Sequence, residues 1–471
     1  MKIEQIFTSC LAEMAYYLES NGEAAIIDPL RDIEPYLERL DYDKAELKYI
    51  FITHFHADFV SGHVDLAERT GAKIIYGPGA SADFDLYAAH DGEEFKLGEA
   101  TLRVLHTPGH TMESMSILLI DKNGKEQCLF SGDALFIGDV GRPDLAIKQG
   151  ELTEEDLARH LFKSLRNKIM PLPDDIIIYP NHGAGSACGK NMSKETYDTL
   201  GHQKETNYAL RADMTEDEFV KEVLTGLNTP PQYFPKNAGM NKAIITDIDT
   251  VVKRGTKELS LEEFNQLIDE GAIILDTRHQ NEFVKAHIPG SIFIGLDGQF
   301  APWVGTLIKD IDQKFVIVAD YGREEETVRR LARIGYDYAQ GFLPNAIDTW
   351  KEAGNKMASI KQVTPQELEQ LYTESNINVL DVRRKSEYLS EHIIDAINQP
   401  LDTIFSNLDN LVDKDKTYYV HCAGGYRSVI FESIAKKYGY SNLIDIAEGF
   451  NGIKEHTKMK LSDYVCPTTL L

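Results

Sequence analysis

The chain is poor in cysteine, in basic residues and in long apolar runs, and each shortage excludes a class of protein. Its five Cys in 471 residues are too sparse for a disulfide framework, so we expect a reducing, cytoplasmic compartment. The 49 Lys+Arg stand against 75 Asp+Glu, a formal net charge of −26, and this balance argues against a nucleic-acid binder, whose phosphate contacts need a basic face. No apolar run approaches the roughly 18 residues that cross a bilayer. The first residues, MKIEQIF, lack the long apolar segment of a signal peptide.

The residues that are present suit several packed α/β domains. A length of 471 residues with 42% hydrophobic side chains predicts about three domains. In the first half, short β-branched or aromatic segments bounded by Gly, Pro or Asp alternate with helical patterns. The predicted strands are 24–29, 49–54, 73–77, 116–120, 128–133 and 175–180. The Pro-rich passage 229–242 predicts an extended segment that closes this first domain.

An internal repeat of about 105 residues fills the second half, and this period suits tandem domains rather than a solenoid. Residues 259–293 resemble residues 363–397, with Asp276 matching Asp381. Strand–helix alternation in each copy predicts mainly parallel sheets with helices on both faces. The predicted domains are 1–245, 246–357 and 358–471.

Four loops that follow predicted strands carry side chains of the kinds that bind metals. Residues 53–58 read Thr-His-Phe-His-Ala-Asp directly after a strand, and three later loops supply the others. The candidate ligands are His54, His56, Asp58, His110, Asp133 and His182. Neutral imidazole and carboxylate groups from separate strand ends hold first-row metals with open coordination positions. The pattern therefore predicts a metal site in the first domain.

Over roughly residues 1–240 these motifs resemble the metallo-β-lactamase superfamily, whose pattern is His-x-His-x-Asp-His, then a His, a bridging Asp and a final His. The resemblance implies an αββα sandwich. The sequence departs from the pattern at Phe59, which stands where the superfamily has the last His of the first motif, a ligand of the second metal. A phenyl ring cannot ligate, and Asp58 with His182 would be too few for a tight second centre. We therefore expect a mononuclear site.

One metal with two His, one carboxylate and open positions is the arrangement of non-haem Fe(II) oxygenases. The stretch GDALFIGDVGRPDL at 132–145 resembles the persulfide dioxygenases of the superfamily more than its zinc hydrolases. This resemblance implies one Fe(II) per chain. The implied iron ligands are His54, His110 and Asp133. His56 and Asp58 would orient ligands and bound water, and whether His56 itself ligates the iron stays open.

Two further residues near these motifs have two interpretations each. Arg142 either holds the anionic end of the substrate or forms a structural salt bridge. Cys188 closes a run of small residues that begins at His182, His-Gly-Ala-Gly-Ser-Ala-Cys, and small residues let the backbone approach a ligand closely. Cys188 either packs as an inert thiol or carries sulfur beside the metal site.

In the second repeat the strand TYYVH ends in Cys422, and Ala-Gly-Gly-Tyr-Arg-Ser leads from it into a helical segment. Backbone N–H groups that curl around the sulfur, together with the start of a helix, stabilise a thiolate and equally a persulfide anion. Gly424 and Gly425 permit the tight curl, and Arg427 adds a cationic donor. This pattern resembles the rhodanese family of sulfurtransferases over about residues 360–471, and it makes Cys422 the predicted nucleophile.

The first repeat keeps the scaffold of this domain without the nucleophile. We align Asp320 with Cys422, and Asp320 lies 15 residues before the Gly335-Tyr336 pair against 17 in the second repeat. A carboxylate cannot accept sulfur, and the shorter loop would not form the same cradle. Residues 246–357 are therefore expected to form a catalytically inactive rhodanese-like domain, a spacer or an interface.

The order of the three domains resembles bacterial fusions of a persulfide dioxygenase with rhodanese domains that act in sulfide detoxification. The resemblance implies that O2 oxidises a low-molecular-weight persulfide, such as glutathione persulfide, to sulfite. It also implies sulfur transfer to or from thiosulfate through Cys422, and a dimer or tetramer. A zinc hydrolase of the glyoxalase II type fused to a sulfurtransferase is the first alternative, against which Phe59 argues. A sulfur carrier or sensor without oxygen chemistry is the second. The thiol carrier and the net direction of sulfur transfer stay open.

Overall fold

The structure is a computed structural model that describes residues 1–147, 151–227, 229–406 and 413–466. The chain divides into two compact units, Met1–Ile248 with Leu331–Gly335, and Asp249–Arg330 with Tyr336–Leu471. The three predicted domain boundaries stay predictions. Among the described residues, no helix is both long and apolar enough to span a bilayer.

The described part of the first unit holds two six-stranded sheets. The strands of the first sheet are, in spatial order, Lys2–Thr8, Glu13–Ser20, Glu23–Ile27, Glu46–Ile52, Lys73–Tyr76 and Tyr87–Ala88. Those of the second sheet are Asp198–Thr199, Ile177–Pro180, Glu126–Gly132, Met115–Ile120, Ala100–His106 and Glu94–Leu97. The first sheet is antiparallel in its N-terminal strands and parallel from Glu23–Ile27 onward. Parallel neighbours end at the same edge of a sheet, which brings the loops after them together.

Helices cover the outer faces of the two sheets. The helices of this unit are Glu34–Asp43, His63–Thr70, Glu154–Ser164, Leu200–Thr206, Glu216–Leu224 and Phe234–Met240, with a π-helical turn at Leu165–Ile169 and a 3₁₀ turn at Tyr208–Leu210. An apolar layer between the sheets includes Tyr16 and Phe51 from the first sheet and Leu102 and Phe130 from the second. Two further buried clusters pack the outer faces against helices. This arrangement confirms the predicted αββα sandwich.

Local signals in the sequence account for where several elements begin and end. The helix His63–Thr70 ends at Gly71, whose φ of 75° lies in the left-handed region that glycine adopts without strain. The helix Glu154–Ser164 begins at Thr153, whose hydroxyl accepts a hydrogen bond from Asp156 N at 3.1 Å while the Asp156 carboxylate accepts one from Thr153 N at 3.0 Å. The six predicted strands of the first half all overlap strands of the structure.

The prediction of an extended segment over 229–242 is wrong, because the passage contains the helix Phe234–Met240. Pro235 occupies its first turn, where a missing N–H removes no helical hydrogen bond and the fixed φ suits a helix start. Phe234 and Asn237 are buried. The passage is therefore a packed element of the first unit.

The second half of the chain holds two sheets in which every described strand pair is parallel. The strands of one sheet are Ile292–Phe293, Ile273–Asp276, Phe315–Val318 and Ala339–Phe342. Those of the other are Lys361–Val363, Leu443–Ile446, Tyr418–His421, Asn378–Asp381 and Ile397–Asn398. Both sheets confirm the prediction from strand–helix alternation.

Helices alternate with these strands along the chain. The helices of the first repeat are Ile248–Gly255, Leu261–Asp269, Gln280–Lys285, Phe300–Leu307, Glu324–Ala332 and Ala346–Glu352. Those in the described part of the second repeat are Pro365–Glu374, Lys385–Ser390, Tyr426–Lys437 and Gly449–His456, with a 3₁₀ turn at Leu401–Thr403. The helix Glu324–Ala332 begins with three acidic residues, Glu324, Glu325 and Glu326, which suit the positive end of the helix dipole.

Candidate metal centre and thiol site

Two histidines and one carboxylate converge where three strands of the first unit end. His54 follows the strand Glu46–Ile52, Asp133 follows Glu126–Gly132, and His110 lies in the loop after Ala100–His106. The Nε2 atoms of His54 and His110 lie 3.8 and 3.5 Å from Asp133 Oδ2. All three side chains are at most 2% exposed. The structure therefore brings together the three residues that the sequence proposes as iron ligands.

Neighbouring groups set which nitrogen each histidine presents to Asp133. His54 Nδ1 lies 3.0 Å from Thr53 Oγ1, and His110 Nδ1 lies 2.8 Å from the Arg142 carbonyl oxygen. A carbonyl only accepts, so His110 carries its proton on Nδ1 and keeps a lone pair on Nε2. Such fixed tautomers are the usual second layer of support around a metal ligand.

The donor atoms of this group fit a divalent first-row metal. Among the described residues, His54 Nε2 and both carboxylate oxygens of Asp133 have no hydrogen-bond partner, and an unpaired buried polar atom costs roughly 1–3 kcal/mol. Two ligand atoms each about 2.1 Å from one ion lie about 3–4 Å apart, which matches the separations between these atoms. Burial, followed by the neighbouring His56 and His110, holds the pKa of His54 well below its usual value. His54 is therefore neutral and able to ligate.

His56 is oriented by a carboxylate that the sequence analysis did not select. Its Nε2 lies 2.9 Å from Asp28 Oδ1, and Asp28 also accepts hydrogen bonds from Thr53 N at 2.7 Å and the Thr53 hydroxyl at 2.8 Å. Burial opposes protonation of His56, but Asp28 outweighs it and raises the His56 pKa. His56 Nδ1 has no hydrogen-bond partner among the described residues and is the atom left for a metal. Asp28 directly follows the strand Glu23–Ile27. A carboxylate directly after a predicted strand is the sequence signal by which Asp28 could have been identified.

A second buried group lies against the first. Ligand atoms of Asp58, His182 and Cys188 lie within 4.8 Å of one another, and His182 Nε2 is 3.4 Å from Asp58 Oδ2 and 3.6 Å from Asp133 Oδ1. Burial, then the carboxylates of Asp58 and Asp133, raises the pKa of the Cys188 thiol well above its usual value. The structure thus adds Cys188 to the two residues expected there.

Phe59 fills the position that the superfamily pattern gives to a histidine. Its ring is fully buried and stacks on His56, with 4.3 Å between centroids and 29° between planes. Asn241, which follows the helix Phe234–Met240, donates to the carbonyl oxygens of His56 at 2.8 Å and Phe59 at 2.7 Å. The residue after this helix therefore fixes the loop that carries the first metal motif.

Arg142 is held inside the first unit by its own neighbours. Its Nε and Nη2 donate to the two carboxylate oxygens of Asp144, each at 2.7 Å, and its Nη1 donates to the Ala187 carbonyl at 3.2 Å. Arg142 N also donates to the Cys188 carbonyl at 3.0 Å. These contacts favour the salt-bridge interpretation over substrate binding, and the Arg142 carbonyl serves the site by orienting His110.

The Cys422 loop of the second repeat forms a thiol site. Gly425 N donates to Cys422 Sγ at 3.1 Å, and the φ of 90° at Gly425 requires glycine. The helix Tyr426–Lys437 begins at the next residue. Phe450 N donates to the Cys422 carbonyl at 2.7 Å, so a second helix start fixes the backbone of the nucleophile. Cys422 is 1% exposed.

The guanidinium of Arg427 is paired within its own domain. Its Nη1 and Nη2 donate to the two carboxylate oxygens of Glu387 at 2.6 and 2.8 Å. Burial raises the pKa of Glu387, but Arg427 outweighs it and the net shift is downward. Arg427 is therefore one partner of an ion pair. The pairing reduces the positive potential that its guanidinium contributes at the Cys422 sulfur below what the sequence predicts.

The alignment of Asp320 with Cys422 is wrong by one residue. Thr277 N donates to the Val318 carbonyl, as Val382 N donates to the His421 carbonyl, so the residue equivalent to Cys422 is Ala319. The expected short loop is also absent, since four residues separate Ala319 from the helix Glu324–Ala332 and three separate Cys422 from the helix Tyr426–Lys437. Instead, the helix after the loop is shorter in the first repeat than in the second. Ala319 has no nucleophilic atom.

Comparison with known proteins agrees with this architecture. The family model described as Metallo-beta-lactamase superfamily matches residues 9–182, and the Rhodanese-like domain matches residues 260–353 and 364–456. The crystal structure of a metallo-beta-lactamase from Staphylococcus aureus subsp. aureus COL is 31% identical, with a TM-score of 0.63, and the match covers 73% of this chain and 98% of that one. The chain belongs to the metallo-beta-lactamase superfamily. The matches also confirm the two rhodanese-like domains that the repeat predicted.

Relatives of this superfamily member include an oxygenase and a hydrolase. The mitochondrial persulfide dioxygenase ETHE1 of Homo sapiens is 28% identical over 48% of this chain and 82% of its own length. The hydroxyacylglutathione hydrolase GloC of Haemophilus influenzae is 29% identical over 40% of this chain and 88% of its own length. The two identities are nearly equal, so the choice between oxygenase and hydrolase rests on the site.

Proposed function

We propose that this chain is a persulfide dioxygenase joined to a sulfurtransferase. The observation that carries the proposal is the ligand set of His54, His110 and Asp133, with Phe59 in place of a histidine beside it. Two imidazoles and one carboxylate with open positions suit non-haem Fe(II). A persulfide dioxygenase is also among the relatives of this chain.

The proposed overall reaction of the first domain is RSSH + O2 + H2O → RSH + SO3²⁻ + 2 H⁺. The outer sulfur loses four electrons and O2 gains them. When bound, Fe(II) would supply the activation of O2 that makes this oxidation accessible. The chain itself fixes the ligand tautomers through Thr53 and the Arg142 carbonyl, and the three ligand side chains are at most 2% exposed.

The proposed reaction of the second rhodanese-like domain is sulfur transfer by Cys422. The thiolate attacks the outer sulfur of thiosulfate, the S–S bond breaks, and sulfite leaves with the bonding electron pair. Cys422 then carries a persulfide, whose negative charge the Gly425 N–H and the helix start stabilise. The first rhodanese-like domain has Ala319 at the equivalent position and is proposed to be catalytically inactive. A cytoplasmic location and a dimer or tetramer stay predictions.

A binuclear zinc hydrolase is the second candidate, favoured by the similarity to GloC and by the group Asp58, His182 and Cys188. Metal analysis of the full chain, loaded anaerobically with Fe(II) or with Zn²⁺, separates the two. We expect one tightly bound Fe per chain. Two tightly bound Zn per chain, with hydrolysis of S-lactoylglutathione, would refute the dioxygenase proposal.

A further inference from the structure

The two rhodanese-like repeats, both in the second unit, touch each other through the loop that carries Cys422. Tyr426 begins the helix that follows this loop, and its hydroxyl donates to the carbonyl oxygen of Gly295 in the first repeat at 2.7 Å. Its ring packs edge-on against Phe293, also in the first repeat, with 5.8 Å between centroids and 70° between planes. A residue of the thiol loop is thus held by the repeat that has no nucleophile.

The first repeat has a glycine where the Tyr426 ring lies against it. A Cβ added at Gly298 would lie 2.3 Å from Tyr426 Cζ, closer than real Cβ contacts. Any larger residue at 298 would therefore push the ring away. Phe293 N also donates to the Ser433 hydroxyl at 3.1 Å, so the same helix is attached to the first repeat at a second point.

Tyr426 directly follows the residue that donates a hydrogen bond to the Cys422 sulfur. The preceding residue, Gly425, provides the N–H that donates to Cys422 Sγ at 3.1 Å. Gly425 is the N-cap residue of the helix Tyr426–Lys437, so a displacement of Tyr426 that moves the helix start also changes the backbone at Gly425 and the direction of this N–H. Displacing the tyrosine ring therefore moves the donor away from the sulfur.

We propose that the first rhodanese-like repeat is a positioning element for sulfur transfer. Tyr426, seated between the Gly295 carbonyl and the bare backbone of Gly298, fixes the Gly425 N–H that stabilises the Cys422 thiolate and persulfide. This inference rests on the proposed role of Cys422 as sulfur acceptor. It gives the inactive repeat a function that an ordinary spacer lacks.

The test uses the full chain with Tyr426→Phe, which removes only the hydroxyl, and Gly298→Ala, which displaces the ring. Tyr438→Phe is the control, since Tyr438 lies just after the same helix and is 52% exposed. We measure the pH dependence of iodoacetamide alkylation of Cys422, followed by mass spectrometry, and the pH profile of kcat/KM for thiosulfate. A shift of one pH unit corresponds to a tenfold change in thiolate stability, and we expect both profiles to move upward by about half to one unit in both variants. The control should match the unmodified chain.

Unshifted profiles in both variants would overturn the positioning role, and Tyr426→Phe decides the matter alone if Gly298→Ala does not fold. A further variant, Cys422→Ser, tests the role of Cys422 separately from the role of the first repeat. Sulfur transfer that survives Cys422→Ser refutes the proposed function of Cys422. Sulfur transfer that is lost in Cys422→Ser but keeps its pH profile in Tyr426→Phe refutes only the role of the first repeat.

Discussion

His54, His110 and Asp133 form a ligand set because other groups fix which of their atoms face one another. Thr53 Oγ1 occupies His54 Nδ1, and the Arg142 carbonyl occupies His110 Nδ1, which leaves both Nε2 atoms directed at Asp133. The ligand types were predictable because each follows a strand. The group that aims His110 was not, since it is a main-chain carbonyl that any residue at 142 would supply.

Asp133→Asn should remove the metal without unfolding the first unit. Neither Asp133 oxygen has a hydrogen-bond partner among the described residues, so the amide replaces a buried charge with a neutral group of the same shape. We expect Fe(II) affinity to fall at least 10- to 100-fold, the loss that weaker perturbations of metal sites already cause. Iron per chain after gel filtration measures this, with Asp41→Asn on the exposed end of the helix Glu34–Asp43 as control. Full iron occupancy in Asp133→Asn would exclude it as a ligand.

The helix Tyr426–Lys437 and the strand Leu443–Ile446 bury acidic groups in the second repeat. Glu432 is fully buried, and neither of its carboxylate oxygens has a hydrogen-bond partner among the described residues. Burial raises the pKa of Asp445 to about 6, although Gln362 Nε2 donates to its Oδ2 at 2.8 Å. Glu432 and Asp445 therefore keep their protons to higher pH in the folded chain than in the unfolded chain.

Asp445→Asn should stabilise the protein, and more so at neutral than at acidic pH. The folded chain binds the Asp445 proton up to about pH 6 and the unfolded chain only up to about pH 4, so stability falls as pH rises between these values and stays lower above them. The amide keeps the bond to Gln362 and removes this loss, a gain of about 1–3 kcal/mol at pH 7.5. Differential scanning calorimetry of the full chain should show a larger rise in Tm at pH 7.5 than at pH 5. An equal rise at both pH values would mean that Asp445 titrates normally.

Elements were predicted well where the sequence pattern is local and poorly where it depends on length or proline. The strands of the first half have β-branched runs bounded by turn residues, and all of them are present. The prolines of 229–242 predicted an extended segment, although Pro235 lies in the first turn of a helix, where proline is tolerated. The spacing from Asp320 to Gly335 predicted a shorter loop, but the two repeats differ in the length of the helix that follows the loop. Contacts such as Tyr426 with Gly295 join distant parts of the chain and leave no local pattern.

At the scale of the whole molecule, one chain carries a candidate metal site and a candidate thiol site whose proposed reactions involve related sulfur species. Sulfite, the proposed product of the first site, is a sulfur acceptor at the second. Joining both sites in one chain raises the local concentration of sulfite at the second site. The net charge of −26 disfavours anionic substrates in general, so local N–H donors must compensate for it. Because Arg427 is paired with Glu387, the backbone around Cys422 carries most of that task.

Cys422→Ser should abolish sulfur transfer from thiosulfate and leave persulfide-dependent O2 uptake within about twofold of the unmodified chain. Serine lacks a polarisable nucleophile of comparable reactivity, while the ligand set of the first unit is unchanged. Cys466→Ser, an exposed cysteine outside both sites, is the matched control and should keep both activities. Equal loss of both activities in Cys422→Ser would contradict the division of labour between the domains.

The central claim is that the first domain oxidises persulfides, and oxygen consumption tests it most directly. The full chain loaded with Fe(II) is given glutathione persulfide in an oxygen electrode, and sulfite is quantified in the same sample. We expect one O2 consumed per sulfite formed, with uptake dependent on persulfide and absent in His110→Ala. Absence of persulfide-dependent O2 uptake in iron-loaded protein, together with hydrolysis of S-lactoylglutathione by the zinc-loaded chain, would contradict it.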